Sequence, residues 1–166
     1  MENPLIKKRF QIPFDTIRPE HVVPAVDYLL IDANEQLDDL LNSEPEERTF
    51  DNTMLAYEAV TETLDHVMTV VEHLKAVDNN DGIVEAFDAI NPRITAFESE
   101  LPQNPKLYEI LKEYASSEDA QQLQGARKRF LEQTMNAFRR SGAELDHEGK
   151  ERLLEIEVRL ADLASR

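Results

Sequence analysis

Cysteine is absent from this 166-residue chain, which excludes disulfides, a thiol nucleophile and thiolate metal ligands within it. Basic residues are scarce: 18 Lys and Arg stand against 34 Asp and Glu, for a formal net charge of -16. Long-range forces from that balance repel nucleic acid and anionic lipid, so neither is an expected partner. The short basic groups Lys7, Lys8, Arg9 and Arg127, Lys128, Arg129 are outnumbered by nearby acids and read as solvated faces. Only 4 glycines occur, and none sits in a phosphate-cradling loop. No serine has the context of a nucleophile elbow, and no aromatic-basic ladder suits single strands. No apolar run approaches the roughly 18 residues of a membrane span, and the opening MENPLIKKRF lacks a signal-peptide core. The cytoplasm is the expected location.

What the chain does have is length and helical period. Its 166 residues suffice for one domain with a sizeable core, or for one piece of something larger. Residues 1–18 carry Pro4 and Pro13 without a helical period and read as an extended surface arm. From 19 to about 42, Val22, Val23, Val26, Leu29, Leu30, Ala33, Leu37, Leu40 and Leu41 recur at threes and fours, the spacing of one buried helix face. Pro19 suits the first helical position, while Pro24 predicts a short opening turn before the main helix. Asn42-Ser43-Glu44-Pro45 ends it.

A second helix opens near Thr49, with Asp51 or Asn52 as N-cap, and buries Tyr57, Val60, Leu64, Val67, Val71 and Leu74. The third carries Ile83, Phe87, Ile90, Ile94, Phe97 and Leu101, and Pro92 predicts a kink or two shorter helices meeting at Asn91. Asn104 caps a fourth, with Pro105 at its first position and Leu107, Ile110, Leu111 and Tyr114 inside. Ser116 and Ser117 break the pattern before a fifth helix from about 119 to 140, with Leu123, Phe130, Leu131, Ala137 and Phe138 inward, closed by Ser141-Gly142. A sixth starts near Asp146 and runs through Leu153, Ile156, Leu160 and Leu163, still in phase at Arg166 with no stop signal, as in a helix that is cut or frays there. No alternating apolar stretch is long enough for a strand and no repeat period recurs. The fold class is all-α, about six amphipathic helices in antiparallel pairs, with an arm over 1–18 and a helical domain over 19–166.

Two constellations invite a metal. His66 and His73 are seven apart on one helix face with Glu62 a turn before, but a metal site would need convergent ligands from a second helix, and off the core stripe they read as solvent-facing or as a surface for another domain. Residues 77–88 half-resemble a calcium loop, with Asn79, Asp81 and Gly82 in register, yet Val77 cannot ligate and Asp88 replaces the long bidentate Glu. A helix connection capped by Asp81 is the preferred reading. Paired carboxylates are too frequent in so acidic a chain to single out a site, and Phe87, Phe97, Phe130 and Phe138 fit core packing.

Several phrases carry a family resemblance. FDTIRPEHVVPAVDYLL from Phe14, TFDNTMLAYEAV from Thr49, LPQNPKLYEIL from Leu101 and FRRSGAEL from Phe138, with Asn3-Pro4-Leu5 before them, resemble in order the N-terminal region of the zinc-dependent oligopeptidases of the oligopeptidase A and thimet oligopeptidase family. That family's device is His-Glu-x-x-His on a helix, two imidazoles on zinc with the Glu activating water. The nearest approach here is His147-Glu148-Gly149-Lys150-Glu151, with a glutamate where the second histidine must stand. No catalytic or metal residue of the family is carried onto this chain, and its substrate-binding residues are not identified.

The resemblance implies the N-terminal helical segment of a zinc metallopeptidase that hydrolyses short oligopeptides. This segment would help wall the substrate channel, with zinc and the catalytic domain supplied elsewhere in the same polypeptide. Alone it is expected to be inactive, to bind no zinc, and to expose helix faces that favour self-association. The other reading is a free-standing acidic helical interaction module.

Overall fold

A computed structural model describes residues 3–78 and 80–164, except the side chains of Leu154, Glu157, Val158, Ala161, Asp162 and Ala164. Among the described residues every regular element is helical: α1 (Pro19–Leu41), α2 (Ala56–Val77), α3 (Asp81–Glu100), α4 (Pro105–Ala115), α5 (Glu118–Gln122), α6 (Gly125–Arg140) and α7 (His147–Ala164). The fold class is therefore all-α. The chain divides into two units, Met1–Glu100 and Leu101–Arg166.

In the first unit α1, α2 and α3 each pack on the other two. Their shared core is built from Val22, Val26 and Leu29 of α1, Val60, Leu64, Val67 and Val71 of α2, and Ile83, Ile90 and Ile94 of α3. The contacts fix their directions. Ile17 and Pro19 at the start of α1 lie beside Leu74 and Val77 at the end of α2, so those two run oppositely. Lys75 meets Asp88 at 3.4 Å, and α3 reverses again. Asp27 meets Arg93 at 2.5 Å, and α1 and α3 run the same way. Gly82 permits that alignment, since a Cβ there would stand 2.9 Å from Pro19 Cγ.

Both interior prolines are carried inside continuous helices: no separate opening turn precedes Pro24, and α3 does not divide at Asn91. Each proline sits on the exposed side, and so do Glu20 and Asp88, whose carbonyls lose the amide partner that Pro24 and Pro92 cannot supply. A helix-interior proline costs about 3 kcal/mol. Each of the fully buried Val22, Val26 and Ile90 contributes about 1.5–3 kcal/mol, so the packing wins.

The second long helix opens where its sequence indicates, but its cap is neither Asp51 nor Asn52. Thr49 is the cap: its Oγ1 accepts from Asn52 N at 3.3 Å while Asn52 Oδ1 accepts from Thr49 N at 2.7 Å. A π-helical turn, Phe50–Leu55, follows and places Phe50, Thr53 and Met54 inside. Asn52 thus closes the cap from its third position rather than forming it.

In the second unit Asn104 caps α4 as its sequence implies, Oδ1 accepting from Leu107 N at 3.1 Å. The expected helix over 119–140 is instead two. Leu123 turns extended (φ -62, ψ 141) and Gly125 takes φ 57, which resets the helical phase. After the reset Leu131, Thr134, Met135 and Phe138 face inward and Ala137 is exposed, against the expectation for that alanine.

The end of α6 is a Schellman joint: Ala143 N donates to Phe138 O at 3.0 Å and Gly142 N to Arg139 O at 3.1 Å. Gly142 makes it feasible with φ 82, and Leu153 of α7 folds back onto it, Cδ2 lying 2.8 Å from where a Cβ would be. Gly142→Ala is expected to cost about 1–2 kcal/mol from the left-handed backbone alone, with more from displacing Leu153. Denaturant unfolding of the variant beside the parent chain measures it.

Candidate functional site

The residues that invited a metal hold the N-terminal arm instead. Leu5 and Ile17 are buried, and Asn3 Nδ2 donates to His21 O at 2.7 Å. Lys8 forms an ion pair with Glu62, the Phe14 ring lies 5.3 Å from that of His73, and His66 lines the space beneath Leu5 and Pro13. The arm is tied at its far end too. Arg18 Nη1 donates to the carbonyls of Asp15 (2.7 Å) and Ile17 (2.9 Å), and Arg18 N donates to His21 Nδ1 at 3.0 Å. His66 is half-buried under the arm, whereas His73 and Glu62 touch the arm and stay exposed.

The half-resemblance to a calcium loop dissolves in the same way. Asn80, not Asp81, caps α3, its Oδ1 accepting from Gly82 N at 3.0 Å and Ile83 N at 3.4 Å. Asp81 is already helical, Asp88 lies within α3 facing Lys75, and Asn79 falls outside the described residues. At the start of α7, His147 Nδ1 and Glu151 stand 3.7 Å apart on the exposed surface. Among the described residues no three of His, Cys, Asp and Glu converge where an ion could be held, so these residues do not fit the zinc of the resembled peptidases.

One pair of acids does interact. Burial first, then the charge and hydrogen bond of Asp65, raise the pKa of Glu98. A raised folded value adds stability at pH below the ordinary glutamate value and loses it as pH rises through the raised one. At neutral pH, Glu98→Gln is expected to stabilise the chain by at most about 1 kcal/mol, given solvent screening. Little difference is expected near pH 4, and unfolding measured across pH 4–8 checks the profile.

A cleft of about 770 Å³ lies in the second unit, lined by Pro105, Tyr108, Lys112, Ser116, Ala143 and Glu144 among others. The Tyr108 ring is buried and stacks on Phe138 at 5.8 Å, while its hydroxyl donates to the Glu144 carboxylate at 2.5 Å. Arg139 Nε lies 3.5 Å from the same carboxylate, and Lys112 Nζ sits 5.8 Å from the Tyr108 ring centre. Burial and then the Glu144 hydrogen bond push the Tyr108 pKa up, so the phenol stays neutral. The Tyr108 hydrogen bond holds Glu144 below its ordinary range, with Arg139 and Lys112 adding to the effect. A neutral phenol and an ionised carboxylate make a lock between α4 and the end of α6, not an acid-base pair poised near neutrality. Periodicity could not disclose it, because the partners are 36 residues apart. The available signal was that both lie in family-like phrases, LPQNPKLYEIL and FRRSGAEL.

A lowered folded value places Glu144's contribution above the ordinary glutamate value, to be lost as pH falls through the lowered one. In Tyr108→Phe the Glu144 titration is expected to move up toward the ordinary range. Carboxyl-carbon NMR of both proteins reads the midpoint, and an unmoved midpoint contradicts the lock.

These arrangements place Tyr108, Glu144 and the arm residues at joints between the elements of an all-helical fold. The sequence model described as Neurolysin/Thimet oligopeptidase, N-terminal domain, matches residues 26–150, and the chain belongs to that family. It is 28% identical over 165 residues to oligopeptidase A of Haemophilus influenzae and, equally, to oligopeptidase A of Escherichia coli. It is 29% identical over 162 residues to the organellar oligopeptidase A, chloroplastic/mitochondrial, of Arabidopsis thaliana. The matches take in 98–99% of this chain but only 24%, 24% and 20% of those three relatives, so the chain spans about a quarter of their length or less. Among the described residues no helix is long and apolar enough to cross a membrane.

Proposed function

We propose that this chain is the helical N-terminal part of a cytoplasmic zinc oligopeptidase, walling or covering the channel that admits short peptides. The metal and the catalytic domain are assigned to further sequence of the same polypeptide. The observation that carries this reading is the family match over 26–150 together with relatives about four times as long, whose names are oligopeptidases. The side chains here support it by what they are used for. His66 and His73 contact the arm, and Tyr108 and Glu144 close a joint, so no step of peptide hydrolysis is assigned to them. In this reading the arm is residues 1–18 and the helical domain 19–166.

The purified 166-residue chain is expected to bind no stoichiometric zinc and to leave fluorogenic oligopeptides intact. Metal analysis and a hydrolysis assay on the same sample test this, and stoichiometric zinc with turnover would overturn it. The native reading frame is expected to continue past Arg166 into a His-Glu-x-x-His helix. A frame that stops there would favour the free-standing interaction module.

A further inference from the structure

The last helix carries an apolar stripe. Leu153, Ile156, Leu160 and Leu163 recur at three-four-three spacing, the pattern of a helix face made to be covered. The stripe is half-seated. Leu153 tucks against the Gly142 joint, but beyond it Ile156 is 45% exposed, Leu160 60% and Leu163 55%.

The occupant can be argued from the residues around this seam and from length. With Leu153 and Leu160 at a and Ile156 and Leu163 at d, Arg152 and Arg159 fall at the flanking g positions. An antiparallel pair of two copies would set these arginines against each other, and a three-turn seam is short for a stable helix pair on its own. A segment of the same polypeptide does not have to meet the concentration cost of a second molecule. The relatives have about three times this chain's length beyond what it matches.

We propose that the Leu153, Ile156, Leu160 and Leu163 face of α7 is the seat of an amphipathic helix from polypeptide C-terminal to residue 166, with an acidic residue on its flank to meet Arg159, since Arg152 is already paired with Glu155 at 2.6 Å. This rests on the reading of the chain as the N-terminal part of a longer enzyme. It adds the surface through which the two parts are joined.

Because the chain has no cysteine, single substitutions make clean probes. Leu160→Cys and Leu163→Cys report the seam, and Glu151→Cys reports the opposite side of the helix. Each is made in the 166-residue chain and in the polypeptide from the native reading frame. Reaction with a water-soluble thiol reagent is followed by mass spectrometry of the α7 peptide. In the shorter chain all three thiols are expected to react at similar rates. In the longer one the two seam thiols are expected to slow by at least about ten-fold while position 151 is unchanged. Equal rates at all three positions in the longer polypeptide overturn the seat while leaving the parent reading standing. Slowing of the seam thiols in the shorter chain as its concentration rises assigns the face to a second copy and overturns the proposal. A frame that ends at Arg166 removes both the parent reading and the seat.

Discussion

A helix leaves its first amide hydrogens and last carbonyls without partners, and a chain made of helices must settle that account at every end. Here the most distinctive wording of the sequence lies on those ends. Ile17-Arg18-Pro19-Glu20-His21 ties the arm to the first turn of α1 through the Arg18 guanidinium and the His21 ring. Thr49 and Asn52 close the turn before α2, Asn104 caps α4, and Ser141-Gly142-Ala143 ends α6 in a left-handed residue. The phrases that mark the family are, in this chain, largely instructions for starting and stopping helices.

That explains which parts of the structure were legible. Apolar spacing located all the long helices and most of the core, because burial is the largest favourable term and writes itself at threes and fours. It failed where local geometry competes with spacing. The break at Leu123 lies inside an otherwise helical pattern, and only Gly125, an ordinary signal of weak reach, marks it. Pro24 and Pro92 signal interruption, yet each helix carries its proline on the exposed side. The Tyr108–Glu144 lock was invisible for another reason: a single long-range hydrogen bond has no period.

The acid load is handled differently in different places. Glu144 is held ionised by a phenol and two cations, whereas Glu98, through burial first and then the carboxylate of Asp65, resists ionisation. The two respond to pH in opposite directions. The strong negative balance is in this sense a surface property with local exceptions, and it disfavours polyanions as partners more than it determines the fold.

Pro19 and Pro105 stand at the first positions of α1 and α4, where their missing hydrogens cost nothing. Their rings act before any contact forms, since φ is already near its helical value in the disordered chain. Unfolding therefore releases less backbone freedom at these two points than at other helix starts, and part of the preference for the native state comes from restraint on the alternative.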